Sequence, residues 1–268
     1  MPDAPHRPPL DVDGIRRDLV GAGRALRRLD VVETTGSTNA DLVARHAAGE
    51  DIRGAVLVAE FQSAGRGRHG RSWSAPARSQ VVFTLGVAAE ELPTVAWGWL
   101  PLLTGVAAVD AVHATTGIAP KLKWPNDIHV GDGKLGGILA EVAAPNPVIV
   151  VGLGLNVSLT AEEAPDPRAT SLLMLGSTML DRSALLGSIL AELTERIDRW
   201  KITGGPDDGL VADYRRHSRT LGSQVRAILP GDREIVGLAV DIDPTGQLLI
   251  DTGAETVAVS AGDITHLR

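Results

Sequence analysis

Apolar residues occur along the chain in short blocks separated by polar turns, which predicts a domain of mixed helices and strands. Apolar runs rich in β-forming residues predict strands at 55–61, 79–87, 121–124, 128–130, 137–143 and 148–157. The runs at 137–143 and 148–157 complete a set that could pair in one sheet. Helical spacing predicts a helix that begins near 40, a long one at about 94–115 and an amphipathic one at 184–200.

The pattern changes after residue 221, where short apolar runs recur at 225–229, 235–242, 247–250 and 256–260. Turn residues separate these runs at 230–232, 243–246 and 252–254, and this spacing predicts a small β-barrel. A Gly-Gly-Pro-Asp-Asp break at 204–208 and a short helix precede the change. We therefore predict an N-terminal extension at 1–29, a main domain at 30–218 and a C-terminal domain at 219–268.

One stretch, 92–109, carries no charge over 18 residues and is the candidate for a membrane span. It contains two prolines and two glycines and is flanked by acids, and its length is at the lower limit for a span. A buried core helix is the better interpretation. The start of the chain, MPDAPHRPP, has no apolar run of the signal-peptide kind. We expect a cytoplasmic protein with no membrane association.

Composition excludes several classes of protein. The 268 residues include no cysteine, which excludes disulfides, a cysteine nucleophile and thiolate metal sites. The formal net charge of −7 argues against a protein that coats nucleic acid. Neither the P-loop motif, nor a His-Glu-x-x-His pair, nor a Gly-x-Ser-x-Gly elbow occurs.

The segment Gly-Arg-Gly-Arg-His-Gly-Arg at 65–71 is the most informative one. It matches the dinucleotide pattern G-x-G-x-x-G formally, but the residues that follow, Arg-Ser-Trp-Ser-Ala-Pro, are a poor helix start. Glycines allow close approach of the backbone to a ligand, and arginines bind phosphate or carboxylate through two donors. The segment thus predicts a flexible anion-binding flap; a merely solvated basic loop is the alternative.

Two further segments carry candidate chemistry. Lys-Trp-Pro-Asn-Asp at 123–127 is followed by Lys134, which opens the run Lys-Leu-Gly-Gly-Ile-Leu. A lysine at a strand edge beside glycines can place a positive charge against a carboxylate or phosphate, although a hairpin with ordinary surface lysines fits as well. In Gly-Leu-Gly-Leu-Asn-Val at 152–157 the glycines alternate, which indicates close approach of a ligand or of another backbone.

Taken in order, five such motifs resemble the bacterial biotin protein ligases, the family of biotin–acetyl-CoA-carboxylase ligases and holocarboxylase synthetases. The matching pieces are TGSTN at 35–39, QSAGRGRHGRSW at 62–73, KWPND at 123–127, KLGGIL at 134–139 and GLGLNV at 152–157, together with the β-rich C-terminal part. The resemblance runs from about residue 30 to the end. It implies an α+β catalytic domain of the class II aminoacyl-tRNA synthetase type and an SH3-like C-terminal barrel.

The resemblance also implies the reaction. Biotin and ATP react with Mg²⁺ to give biotinyl-5′-AMP and pyrophosphate, and the mixed anhydride then acylates a lysine of a biotin carboxyl carrier protein domain. The carriers belong to acyl-CoA carboxylases, which implies a place in fatty acid synthesis.

Residue roles are carried over from the family motifs to the matching positions. The implied catalytic residues are Lys134, Arg66, Arg68 and Asp127, with metal binding or orientation of the incoming amine as candidate roles for Asp127. The implied biotin-binding residues are Ser37, Thr38, Asn39, Gln62, Gly65, Arg66, Gly67, Arg68, Lys134, Gly136 and Gly154. The implied ATP- and adenylate-binding residues are Arg66, Arg68, Arg71, Trp73, Asn126, Asp127, Lys134 and Asn156. Trp73 would stack on adenine, Asn156 would hydrogen-bond it, and Trp124 would pack beneath the site.

The chain departs from the longer family members at its N-terminus. Regulatory members carry a winged helix-turn-helix there, and residues 1–29 are too few for that module. We therefore expect a ligase without DNA binding, which is a monomer or a weak homodimer. One alternative is a lipoate–protein ligase, but an Arg-Arg-x-x-Gly-Gly-Gly loop would indicate that enzyme, and this chain has GRGRHGR instead. The other alternative is a biotin-responsive binding protein.

Overall fold

The computed structural model describes residues 5–21, 23–144, 147–229, 233–260 and 262–267. The turn expected at 230–232 and the first four residues of the N-terminal extension lie outside the described residues. The helices are α1 (Asp13–Leu19), α2 (Thr38–Ala47), α3 (Trp99–Thr116), α4 (Arg182–Thr203) and α5 (Asp208–His217). The strands are β1 (Arg28–Val32), β2 (Ala55–Ala59), β3 (Gln80–Ala88), β4 (Lys121–Lys123), β5 (Asp127–Val130), β6 (Gly133–Ala143), β7 (Val148–Asn156), β8 (Gln224–Leu229), β9 (Arg233–Ile242), β10 (Leu248–Asp251), β11 (Thr256–Val259) and β12 (Asp263–His266).

Seven strands form the main sheet in the order β1-β2-β3-β7-β6-β5-β4. The β1–β2 pair is parallel, and every other neighbouring pair is antiparallel. The set of strands predicted to pair in one sheet does so. The sequence did not indicate β1, which is short, carries two charges and pairs along one side only. The predicted α+β class is confirmed.

The two faces of the main sheet differ in composition along β7. Ile149, Val151 and Leu153 point to the face covered by α3 and α4, where they join the large apolar core. We call this the helix face. The opposite side, the pocket face, carries α2 over Val148 and Val150, after which Gly152 and Gly154 leave the sheet without side chains. One part of the pocket face is therefore covered by a helix, and the part at these glycines allows the side chains of Asn39 and Trp73 to approach the strand closely.

The uncharged stretch folds as a core helix, as predicted. A single turn of 3₁₀ helix at Thr94–Gly98 leads into α3. Together they make a segment, Thr94–Thr116, that is long and apolar enough to cross a membrane by length and composition. In the fold, 72% of the most apolar 18-residue stretch of this segment is buried. The helix α3 packs against the helix face of the sheet and against α4. The apolarity is thus accounted for by burial in the protein core.

A second sheet of five antiparallel strands follows in the order β11-β10-β9-β8-β12. The sequence predicted four of its strands and missed β12. Two buried tryptophans join this sheet to the main domain: the Trp99 indole N–H donates to the Asp243 carbonyl (3.1 Å) and the Trp124 indole N–H to the Gly246 carbonyl (3.1 Å). Trp124 therefore anchors the second sheet beneath the segment that leads into β5.

Candidate active site

A pocket lies on the pocket face of the main sheet, between the N-terminus of α2, the ends of β6 and β7 and the loop at 65–73. All the residues assigned to biotin, adenylate or catalysis from the sequence line this pocket, except three. Gly65, Gly136 and Asn156 do not line it. The pocket therefore brings together segments that are more than 100 residues apart in the chain.

The corner at the start of α2 is a network of small polar groups. Ser37 is the N-cap of α2, and its hydroxyl accepts from the Ala40 N–H. The Gln62 amide oxygen accepts from both the backbone N–H (2.8 Å) and the hydroxyl (3.1 Å) of Thr38. Thr84 Oγ1 lies 2.7 Å from Thr38 Oγ1 and 2.6 Å from Asn39 Oδ1. This corner offers fixed donors and acceptors at the pocket wall, which suits a neutral ligand that needs both.

An ion pair spans two neighbouring strands at the other end. Lys134 Nζ lies 2.7 Å from Asp127 Oδ1, because β5 and β6 pair in a register that sets Asp127 opposite Gly137 and His129 opposite Lys134. His129 Nε2 is 3.8 Å from the other Asp127 oxygen. Burial alone raises the pKa of Asp127, but the imidazole of His129 and the Lys134 ammonium outweigh burial and lower that pKa to about 2. The Asp127 carboxylate therefore stays charged at neutral pH.

Glycines form the floor of the pocket, and Trp73 lies on them. Gly137 and Gly154 are partners in the β6–β7 ladder. A Cβ on Gly154 would overlap the indole nitrogen of Trp73, and a Cβ on Gly137 would lie 3.5 Å from the same ring. The Lys134 ammonium is 5.6 Å from the centre of the Trp73 ring. The alternating glycines thus allow close approach of an aromatic side chain, and the predicted Gly136 points to the helix face, where a Cβ would meet Leu155 and Ile128.

Asn156 is engaged within the protein. It is 3% exposed, its side-chain carbonyl accepts from the Gln80 amide (2.6 Å) and its amide donates to the Thr170 carbonyl (2.8 Å). Gln80 in turn accepts from the Trp73 indole N–H (3.1 Å). Asn156, the last residue of β7, therefore contacts the pocket lining only indirectly. It is bound to Gln80, and Gln80 is bound to Trp73, which lines the pocket. The direct contact of Asn156 with adenine stays a prediction.

The three arginines of the flap, residues 65–71, point in different directions. Arg66 Nη2 lies 2.6 Å from Glu141 Oε1 on β6, Arg68 donates to the Asn126 side-chain oxygen (3.3 Å), and Arg71 pairs with Asp263 on β12. Burial lowers the pKa of Arg68. Backbone bonds close the flap at its base, from the Trp73 N–H to the Gly65 carbonyl (2.8 Å). Separate partners explain how three like charges share one short loop.

The structure adds residues that the sequence did not single out. Gly137, Leu139, Gly152 and Asp263 line the pocket, and Glu141 contacts the flap from just outside it. Gly137 and Gly152 were within quoted motifs, and alternation along a strand would have separated Gly137 from Gly136. Across the residues that the structure describes, no group of three or more His, Asp and Glu side chains could hold a metal ion.

Two family models match the chain. Residues 31–157 match the biotin/lipoate A/B protein ligase family, and residues 220–267 match the biotin protein ligase C-terminal domain. The first match contains each of the five motifs, and the second contains the five-stranded sheet.

Individual relatives match nearly the whole chain. A biotin–[acetyl-CoA-carboxylase] ligase of Mycobacterium tuberculosis is 52% identical over 265 residues, which cover 98% of this chain and 97% of the relative. The bifunctional ligase/repressor BirA of Escherichia coli is 30% identical over 87% of this chain and 74% of its own length. A solved biotin protein ligase of Aquifex aeolicus, in complex with biotin and ATP, has a TM-score of 0.78 at 26% identity and covers 91% of this chain and 100% of its own.

Proposed function

The chain belongs to the biotin protein ligase family, and on that premise we propose that it attaches biotin to the biotin carboxyl carrier domains of acyl-CoA carboxylases in two steps. First, an oxygen of the biotin carboxylate attacks the α-phosphorus of ATP, the bond to the leaving pyrophosphate breaks, and biotinyl-5′-AMP forms. Next, the lysine amine of the carrier attacks the acyl carbon, and AMP leaves. The reaction is that of a biotin–[acetyl-CoA-carboxylase] ligase.

The observation that carries the site assignment is the convergence of Lys134 and the flap arginines on one pocket. In the first step a carboxylate and a triphosphate, both negatively charged, must come into contact. Fixed positive groups that face the developing charge lower this barrier. Lys134 is suited to stabilise charge on the reacting oxygens, because it extends from a strand that fixes its position. Arg66 and Arg68 are suited to close over the carboxylate and phosphate, with Arg71 beside them.

The two ends of the pocket suit the two substrates. Ser37, Thr38, Asn39 and Gln62 form the network of donors and acceptors that a ureido ring requires, since such a ring carries both N–H and C=O groups. At the other end Trp73 offers a flat ring on which adenine can stack. Trp73 lies on the pocket floor beside Lys134, so stacking there would put the α-phosphate within reach of the ammonium.

For Asp127 the orientation role is the better supported of the two predicted roles. Asp127 is charged at neutral pH because its pKa is about 2, and one of its oxygens is already 2.7 Å from Lys134 Nζ, which leaves it less suited to hold a metal ion. Asp127 instead holds Lys134 and would orient the neutral carrier amine by accepting a hydrogen bond from it, and the proton that the amine loses on forming the amide passes to solvent. Mg²⁺ would be held chiefly by ATP phosphate oxygens, since Asp127 is already bound to Lys134 and the described residues offer no cluster of carboxylates.

The wider setting follows from the same proposal. The protein acts in the cytoplasm on carriers of acyl-CoA carboxylases and so serves fatty acid synthesis. It acts without binding DNA or membrane, as a monomer or a weak homodimer.

The test is incubation of the protein with ATP, Mg²⁺ and a carrier domain, with either biotin or lipoate, followed by intact mass measurement. We expect the carrier to gain the mass of one biotinyl group and to gain nothing from lipoate. A carrier modified by lipoate alone would assign the chain to the other branch of the matched family, and an unmodified carrier would refute the ligase proposal. A Lys-to-Arg carrier is the matched control, because it keeps the charge and lacks the acceptor amine.

A further inference from the structure

One acidic side chain contacts two parts of the site although it does not line the pocket. Glu141 follows Gly137 and Leu139 on the pocket face of β6, and the next residue on that face, Ala143, belongs to the small apolar cluster beneath α2. The Glu141 side chain is 25% exposed. A carboxylate in such a half-buried position requires partners to offset its loss of hydration.

Both carboxylate oxygens of Glu141 have a partner, and the two partners belong to different elements. Oε1 lies 2.6 Å from Nη2 of Arg66 on the flap, and Oε2 accepts from the Asn39 side-chain amide at 3.0 Å on α2. Asn39 and Arg66 both line the pocket. Glu141 therefore connects the flap to the wall of the pocket through one side chain.

The two partners depend on Glu141 to different degrees. The Asn39 amide also donates to the Leu139 carbonyl (3.1 Å), and its side-chain oxygen lies 2.6 Å from Thr84 Oγ1, so its orientation is fixed without Glu141. Across the described residues, the Arg66 guanidinium has Glu141 as its one side-chain partner. The loss of Glu141 would consequently release Arg66 and leave Asn39 in place.

We propose that Glu141 is a positioning residue that acts through Arg66, by holding its guanidinium at Nη2 while the other N–H donors remain available to the ligand. This proposal rests on the proposed role of Arg66 at the biotin carboxylate and the adenylate phosphate. A guanidinium has five N–H donors, and an ion pair to one nitrogen leaves Nε and Nη1 for an anion. An arginine that is ordered before the ligand arrives loses less conformational freedom on binding.

A double-mutant cycle between Glu141 and Arg66 tests the proposal. Biotin affinity is measured by calorimetry without ATP, and KM and kcat for biotin are measured by pyrophosphate release, for the wild type, Glu141→Gln, Arg66→Ala and the double variant. We expect Glu141→Gln to weaken biotin binding and raise KM about three- to tenfold, with a smaller change in kcat, as for a charge-assisted pair that is partly exposed. The double variant should bind biotin no more weakly than Arg66→Ala, because Glu141 acts through that arginine.

Several outcomes would overturn the proposal. Additive losses in the double variant would mean that Glu141 acts by another route, unchanged affinity in Glu141→Gln would mean that Arg66 needs no support, and tighter binding would mean that Glu141 competes with the ligand. Glu195→Gln is the matched control, since Glu195 forms an exposed 2.7 Å ion pair with Arg199 on α4, away from the pocket. It should leave biotin affinity unchanged.

A second variant keeps the test independent of folding. If Glu141→Gln unfolds, the cycle is repeated with Glu141→Asp, which keeps the charge but is shorter by one methylene; a smaller loss with the same non-additivity is expected, and additivity again overturns the proposal. A failure of the proposed function is recognised separately, because the wild type would then release no pyrophosphate with biotin and ATP.

Discussion

The two groups of positive charge in the pocket are held in contrasting ways. Lys134 extends from a strand and pairs with Asp127 on the neighbouring strand, and their side chains are 32% and 22% exposed. Arg66 and Arg71 extend from a loop, and their side chains are 48% and 58% exposed. Lys134 is therefore fixed by the sheet. The three flap arginines depend on partners from three different segments, which are β6, the turn before β5, and β12.

The difference separates two tasks that the reaction requires. A group that acts on the reacting oxygens must keep its position to a fraction of an ångström, and regular strands provide that precision. A group that covers a ligand must also let it enter, and exposed loop pairs of small energy can open and close. The contrast predicts that changes on the sheet side cost more than changes on the flap side.

The largest effect is expected from Lys134→Ala. We expect adenylation to fall by about 100-fold or more, because one fixed charge facing the transition state contributes about that much. Biotin binding should remain measurable by calorimetry, since the polar corner at α2 is intact. Adenylation is followed by pyrophosphate release. Lys121→Ala, on the edge strand β4 and outside the pocket lining, is the control. Unchanged turnover would remove Lys134 from its role.

A smaller loss is expected from Gly154→Ala on the pocket floor. The new methyl group would lie 2.7 Å from Cε2 of Trp73, so the ring must move away from the floor. Overpacking of this kind costs about 1–3 kcal/mol, and we expect kcat/KM for ATP to fall about 10- to 100-fold. Steady-state kinetics with ATP as the varied substrate measures it.

The control for this change is Gly205→Ala, where the nearest atom to the new methyl would be 3.9 Å away. It should behave as wild type. If Gly154→Ala keeps its kcat/KM for ATP, then the reaction does not require Trp73 to lie on the glycine floor. The sheet side of the pocket would then tolerate displacement of this ring and would not be more sensitive than the flap side.

The Asp127–Lys134 pair should also make stability depend on pH. The folded-state pKa of Asp127, about 2, is lower than its ordinary value of 3.8. The carboxylate therefore contributes stability above pH 3.8, and the contribution shrinks as the pH falls toward 2. We expect Asp127→Asn to lose about 2 kcal/mol of unfolding free energy at pH 7 and less at pH 3.

Urea unfolding at pH 7, 5 and 3 measures that difference. Asp198→Asn is a suitable control, since Asp198 is an exposed residue of α4 that does not line the pocket. A difference between wild type and Asp127→Asn that stays constant down to pH 3 would contradict the assignment of a low pKa to this carboxyl.

Much of the fold could be predicted from the sequence because its central strands are continuous apolar runs. The runs for β2, β3 and β7 matched the strands to within two residues. The strands β1 and β12 were missed, because each is short and contains charged residues, and each exists through its pairing with β2 or β8. Local pattern carries little information about a strand that depends on its neighbour.

The site divides in the same way. Motifs indicated Lys134, Asp127 and the flap arginines, since unusual residues stand together there. Glu141 and Gln80 are ordinary residues within apolar strands, and only the register of those strands brings them to the pocket face. Asp263 could not be found, because it lies 192 positions from Arg71 and meets it through the packing of the second sheet.

The smallest effect is expected where the flap meets that second sheet. Arg71 and Asp263 form an ion pair in which both side chains are more than half exposed, and such pairs contribute about 0.2–1 kcal/mol.

Arg71 also faces phosphate in the proposed reaction, so Asp263→Asn is the cleaner variant. We expect it to raise flap cleavage by trypsin less than about fivefold without ligand, and to leave cleavage unchanged with biotin and ATP, because the ligand then supplies the anions. The wild-type difference in cleavage with and without ligand is the reference. A flap in Asp263→Asn that is cleaved equally fast with and without biotin and ATP would mean that the second sheet, and not the ligand, keeps the flap closed.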